Sequence, residues 1–258
     1  MKKLLLILVL CTVAVFTACN KEEEPEKIIL GMASGFPPFN FLANDGSGVI
    51  GRYSGVSVAL VSAIAEELGI EVVVRDQDFD GLIAALLSGE IDVIAAGMTI
   101  TEERLQQVNF SIPYFDARQT VLVLSSNTTI QKTTDLEGLS VGVQLGTTGE
   151  ISMSDTDKVD VEIVSYINVV TGILELLAGR IDAFVVDSPV AKGFVAEYPN
   201  QLRMFYDDDF FEDEKFGMAF NKNNVDLLNR FNTVLERLLA EGYADMLYDK
   251  YMKELGLD

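Results

Sequence analysis

Residues 81–92 read GLIAALLSGEID, and residues 172–182 read GILELLAGRID. Each stretch is an apolar run at helical spacing, a glycine turn that stops it, and an Ile-Asp pair that opens a buried strand. The strand is Val93 to Ala96 after the first copy and Ala183 to Val186 after the second. One helix–turn–strand unit, repeated about ninety residues further along, predicts two similar lobes.

The flanking sequence extends that pattern. Ile28 to Leu30 starts a strand, and Gly31 to Phe39 is a loop with two prolines. Ser57 to Leu68 places Val61, Ile64, Ala65 and Leu68 on one helical face, and Gly69 stops it. Glu71 to Val74 is strand-like, Phe79 to Ser88 helical, and Ile91 to Ala96 a buried strand. Alternating helices and apolar strands predict α/β lobes, each a mostly parallel sheet flanked by helices. Val225 to Tyr251 is helical, with Leu228, Phe231, Leu235, Leu238 and Leu239 on an apolar face and a break at Gly242. That face needs a surface, expected on the first lobe, so the chain crosses between lobes twice. Ligands of open α/β sheets sit beyond the carboxyl ends of the strands. Gly97 to Thr101 and Asp187-Ser188 are therefore the first places to look for a site.

The first residues read as an address. Lys2 and Lys3 precede an apolar run, Leu4 to Phe16, that is short for a membrane span. Thr17-Ala18-Cys19 then resembles the lipobox of bacterial lipoproteins, apart from Phe16 where an aliphatic residue is usual. This implies a signal peptide at 1–18, a lipid on Cys19, and a polar tether to residue 27. Of the two cysteines, Cys11 leaves with the signal and Cys19 is acylated, so no disulfide is expected. The formal charge of −21 makes nucleic acid an improbable partner. With no histidine, Ser-His and Cys-His catalysis and imidazole metal sites are excluded. No catalytic residue, metal or cofactor is expected. Gly46, Gly48 and Gly51 match G-x-G-x-x-G, but no helix follows them directly. Asp76, Asp78, Asp80 and Gly81 mimic an EF-hand start, yet Leu87 stands where a bidentate glutamate is required. The acidic run DDDFFEDE at 207–214 reads as a solvated face.

The stretch FDGLIAALLSGEIDVIAAGMTITEER at 79–104, followed by NFSIPYF at 109–115, resembles the extracellular solute-binding proteins of family 3, which bind polar amino acids for ABC importers. VGVQLGTTGE at 141–150 and EGYADMLYDKY at 241–251 are similar to that family too. The resemblance runs from Ile28 to the C-terminus. It implies a two-lobed, type II periplasmic-binding-protein-like fold with two hinge crossings, near Tyr114–Arg118 and Glu212–Phe216. One lobe would comprise 28–115 plus 216–258, and the other 116–215. It also implies a monomer, exported and lipid-anchored, that closes on a free L-amino acid and then docks on a membrane permease.

The residue chemistry agrees with that reading. A free amino acid presents a carboxylate and an ammonium, and both must be matched when desolvated. Arg104 can clamp the carboxylate with two parallel N–H groups. Thr99 offers a hydroxyl and a backbone N–H, while Thr147 and Thr148 lie in a turn that opens a helix and offer more donors. Asp187 can take the ammonium, assisted by the Gly97 carbonyl. The resemblance implies that Phe36 and Phe79 sandwich the ligand side chain, and it places Tyr114 nearer the hinge than the ligand. Three positions depart from the family. Gly55-Val56-Ser57-Val58-Ala59 lacks two usual acids, with Ser57 left as a helix cap. Ala33 stands where many relatives carry Asp, and Gln144 where some carry Lys. These changes favour a neutral polar ligand such as glutamine, with arginine, lysine or histidine possible because Asp76, Asp78 and Asp80 lie near by in sequence. The rival readings are a dehydratase-like enzyme of the same fold and a component of a ligand-sensing receptor. For the sensor, no transmembrane or cytoplasmic segment is expected in this chain.

Overall fold

The computed structural model describes residues 25–43 and 45–257. The signal peptide and Cys19 lie outside those residues. The first lobe holds β1 (Lys27–Met32), a ribbon of β2 (Phe41–Leu42) and β3 (Tyr53–Ser54), α1 (Val56–Leu68) and β4 (Glu71–Asp76). A 3₁₀ turn at Phe79–Gly81 runs into α2 (Leu82–Ser88), followed by β5 (Val93–Ile94), α3 (Glu102–Gln107) and β6 (Asn109–Phe110). The second lobe holds β7 (Phe115–Leu124), β8 (Ser140–Gln144), α4 (Thr148–Met153), β9 (Glu162–Tyr166) and α5 (Val169–Leu177). It continues through β10 (Ala183–Asp187), α6 (Ser188–Glu197), β11 (Leu202–Phe205) and β12 (Asp213–Phe216). The chain then returns as β13 (Ala219–Phe220), α7 (Val225–Ala240) and α8 (Tyr243–Glu254).

The strand orders are β4-β1-β5-β13-β6 and β11-β7-β10-β8-β9, with β12 alongside β7. The two helix–glycine–strand repeats occupy matching places: α2 leads into β5 beside β1, and α5 into β10 beside β8. The sheets are mixed rather than mostly parallel. Pairs reached through helical crossovers run parallel, as β1–β4, β1–β5, β8–β9 and β8–β10 do. The strands that carry the chain between lobes follow no such crossover. β7 runs antiparallel to β10, β11 and β12, and β13 antiparallel to β5 and β6. Only a helical crossover brings the chain back in the same direction.

β7 and β12 pair with Phe115 opposite Phe216 and Arg118 opposite Asp213, so both crossings form one antiparallel ribbon. An aromatic knot packs at its base. Phe39 meets Phe115 at 4.9 Å and Phe216 at 5.2 Å, both edge-on, and Phe115 meets Tyr248 at 5.1 Å. α7 buries Leu228, Phe231, Leu235 and Leu238, and with α8 covers α1 on the first lobe. The end of α8 reaches further: Tyr248 Oη donates to the Pro189 carbonyl of α6 at 3.4 Å. Among the described residues no helix is long and apolar enough to cross a membrane.

Ser57 does not cap α1. The helix starts after Gly55, whose φ of 120° and close approach to the Phe39 carbonyl leave no room for a side chain. Ser57 lies inside the first turn and its hydroxyl meets Tyr114 Oη at 3.1 Å.

Candidate ligand-binding site

Gly97 follows β5 with φ 63°, and a Cβ there would fall 2.5 Å from Phe36 Cε1. Its N–H donates to Tyr114 Oη at 3.3 Å, which anchors the strand exit to the hinge. Burial pushes the Tyr114 phenol up to about 12, so it stays neutral. Gly97→Ala is expected to cost about 1–3 kcal/mol of stability and to weaken ligand binding by tilting Phe36, as read by thermal unfolding and calorimetry.

Thr101 then caps α3, its side-chain oxygen accepting from the Arg104 N–H at 3.2 Å. That cap turns Arg104 inward, where it is only 7% exposed. Nη1 donates to the Thr99 carbonyl at 2.7 Å, and Nη2 crosses the cleft to the Gly146 carbonyl at 2.9 Å. The guanidinium lies over the Phe79 ring, 5.6 Å from its centroid. Burial draws the pKa of Arg104 below the ordinary arginine value, opposed by Glu214, Asp187 and Glu103.

From the second lobe, Asp187 ends β10 and is 6% exposed. Burial raises its pKa well above the usual carboxylate range, and Glu214 raises it further. The backbone, Arg104 and Gln119 pull the other way. Thr147 caps α4, accepting from the Glu150 N–H and donating to the Gln144 carbonyl at 2.7 Å.

All eight residues singled out from the sequence line one cavity: Phe36, Phe79, Gly97, Thr99, Arg104, Thr147, Thr148 and Asp187, joined by Gln144. The closed lobes leave about 10 Å³ there, room for roughly one water. Anything entering this cavity therefore needs the lobes to open for its passage and Arg104 to leave the Gly146 carbonyl before they close again. The threonine hydroxyls are turned to protein partners here. Thr99 Oγ1 donates to Glu214 at 2.9 Å and Thr148 Oγ1 to the same carboxylate at 3.0 Å. Of the backbone N–H groups that open α4, that of Glu150 is taken by Thr147 Oγ1, while those of Thr148 and Gly149 have no intrahelical acceptor.

Gln119 and Glu214 were not among the expected site residues. Gln119 Nε2 donates to Asp187 Oδ1 at 2.9 Å and lies 3.1 Å from Thr148 Oγ1 and 3.2 Å from Glu214 Oε2. Glu214 closes the acidic run read as a solvated face. Its signal was the period of two along β12, where Glu214 and Phe216 turn inward while Asp213 and Lys215 are exposed. Gln119 shares a face of β7 with buried Ala117 and Val121.

A different cavity is far larger, a chamber of about 640 Å³. It opens from the head-group cavity past Phe79 and Gln144, which line both. Gln144 Nε2 donates to the Ile167 carbonyl at 3.1 Å and is fixed at the junction. The buried charged groups are concentrated in the smaller cavity. Ser34 holds Asp76 at the wall of the larger one, with the N–H donating at 2.9 Å and Oγ at 2.7 Å.

Residues 28–254 match the family described as bacterial extracellular solute-binding proteins, family 3. The chain belongs to that family. A probable histidine-binding protein of Campylobacter jejuni is 36% identical over 92% of this chain and 89% of its own length. The arginine-binding extracellular protein ArtP of Bacillus subtilis is 31% identical over 97% of this chain and 98% of its own. An ancestral arginine-binding protein, solved bound to glutamine, is 39% identical with a TM-score of 0.80, over 88% of this chain and 98% of that one. The family 3 fold accounts for the two matched strand ends, Gly97 and Asp187, facing one another across the cleft.

Proposed function

We propose that this protein captures a free amino acid by lobe closure and hands it to an ABC permease. One observation carries the reading. A buried guanidinium in α3 of the first lobe and a buried carboxylate at the end of β10 in the second, Arg104 and Asp187, line one closable cavity. That pair complements an α-carboxylate and an α-ammonium. The chamber beyond Phe79 adds a preference for a cationic side chain, in place of the neutral one expected from Ala33 and Gln144. Asp76, Asp78 and Glu197 line it, and no lysine or arginine does. Ile167, Val170 and Leu174 of the second lobe add an apolar surface for a methylene stem. Two relatives, a probable histidine-binding protein and an arginine-binding protein, support this side-chain class. The reading includes hinges in the β7–β12 ribbon and a lipid on Cys19 that keeps the protein beside its permease.

A thermal-shift and calorimetry panel of the twenty amino acids tests it. A ligand specific for the folded state adds about 2.7 kcal/mol at a hundred times Kd. Arginine, lysine or histidine is expected to give the largest shift. A shift from glutamine alone restores the neutral assignment, and no shift from any amino acid overturns the function. The raised pKa of Asp187 favours one rival, a dehydratase-type enzyme using it as a proton donor. Ligand recovered unchanged after incubation rules that out.

A further inference from the structure

Glu214 does not line the ligand cavity, yet one of its oxygens joins everything around it. Oε2 accepts from Thr99 Oγ1 of the first lobe at 2.9 Å and from Thr148 Oγ1 of the second at 3.0 Å. It also lies 3.2 Å from Gln119 Nε2 on the crossing strand β7. Glu214 itself stands on the other crossing strand, opposite Ala117. When the lobes part, Glu214 cannot keep both threonines, because one sits on each lobe. The carboxylate is thus a fastening that exists only in the closed arrangement.

Gln119 ties that fastening to the ligand site. The amide is 1% exposed, and its two N–H groups face Asp187 Oδ1, Thr148 Oγ1 and Glu214 Oε2. An ionised Asp187 is the stronger acceptor, so it claims one N–H and orients the amide. Thr148 then donates its own proton to Glu214. Asp187 and Glu214 also repel each other across Gln119, with Arg104 as the cation facing both. A positive group on Asp187 relieves that repulsion as the lobes meet.

We propose that Glu214 and Gln119 form a latch that locks the lobes when a cationic ammonium occupies Asp187. Glu214 is a positioning residue, acting through Thr99, Thr148 and Gln119 rather than touching the ligand. The proposal rests on the amino-acid reading above, with one part, the closed-state fastening, that needs no ligand at all.

The test measures lobe–lobe distance by paired spin labels, one on each lobe, with and without arginine as the probe. It also measures ligand dissociation rates in wild type, Glu214→Ala and Glu214→Gln. Wild type is expected to close fully on arginine. Glu214→Ala is expected to keep an open population at saturation and to release ligand about tenfold faster or more. Glu214→Gln keeps one carbonyl oxygen for the same donors and is expected to recover most of the closure. If Glu214→Ala closes to the same distance and releases ligand at the wild-type rate, the latch is wrong. A wild type that binds neither arginine nor any other amino acid fails the functional reading instead. The ligand-free distance distribution then tests the latch alone, a shift to longer distances in Glu214→Ala supporting it and an unchanged one overturning it. Should Glu214→Ala not fold, the Thr99→Val/Thr148→Val pair removes both lobe contacts and is expected to widen the distance equally, an unchanged distance overturning the latch.

Discussion

Arg104→Ala is expected to weaken ligand binding by about 2–5 kcal/mol, which takes a micromolar receptor to between tens of micromolar and several millimolar. Three contributions add. The ligand carboxylate would be buried without a counter-charge, the largest of them. The Thr99 carbonyl, which accepts from Arg104 at 2.7 Å, would lose its donor. The Phe79 face would lose the cation that packs on it. Arg104→Lys is expected to recover only part of the affinity, because an ammonium cannot make two parallel bonds to one carboxylate. The fold should survive, since Arg104 belongs to the cleft and not to the apolar core. Isothermal titration with the best ligand checks this, and wild-type affinity in Arg104→Ala would remove the guanidinium from the site.

Asp187 carries the second large effect, and its sign depends on pH. Its folded pKa is raised by burial and by Glu214, with Arg104 and Gln119 opposing, and Tyr114 facing it as a neutral phenol. A raised acid contributes stability that is present below its unfolded pKa and is lost as pH rises through the folded value. A ligand ammonium favours the ionised form and lowers the pKa again. Binding therefore releases a proton in the interval between the bound and free values. Affinity should rise with pH through that interval, by up to about tenfold per unit, and level off above the free value. Asp187→Asn should flatten this profile, stabilise the free protein at neutral pH and weaken binding by about 2–5 kcal/mol. Titrations between pH 5 and 8, in buffers with different ionisation heats, count the proton directly. A flat affinity with no proton released would show that Asp187 is ionised before the ligand arrives. The same titrations on Glu214→Gln separate the two carboxylates, because removing the Glu214 charge should lower the interval.

The linear sequence was enough for the two lobes and for the eight residues that line one cavity between them. GLIAALLSGEID and GILELLAGRID specify helix, turn and strand through contacts a few residues apart, where spacing and glycine stops decide the outcome. The strand ends that follow them place Gly97 and Asp187, and the Thr101 cap three residues before Arg104 turns the guanidinium inward. Each of these depends on short-range backbone geometry. The direction of the threonine hydroxyls, the roles of Gln119 and Glu214, the bond from Ser57 to Tyr114 and the acidic chamber were not legible in that way. Glu214 meets Thr99 across 115 residues of chain and Gln119 across 95. Whether a carboxylate in DDDFFEDE is solvated or clamped depends on which strand lies beside it. Strand pairing between the two crossings, set by the packing of both lobes, supplies that neighbour, and no local pattern of polar and apolar residues contains it.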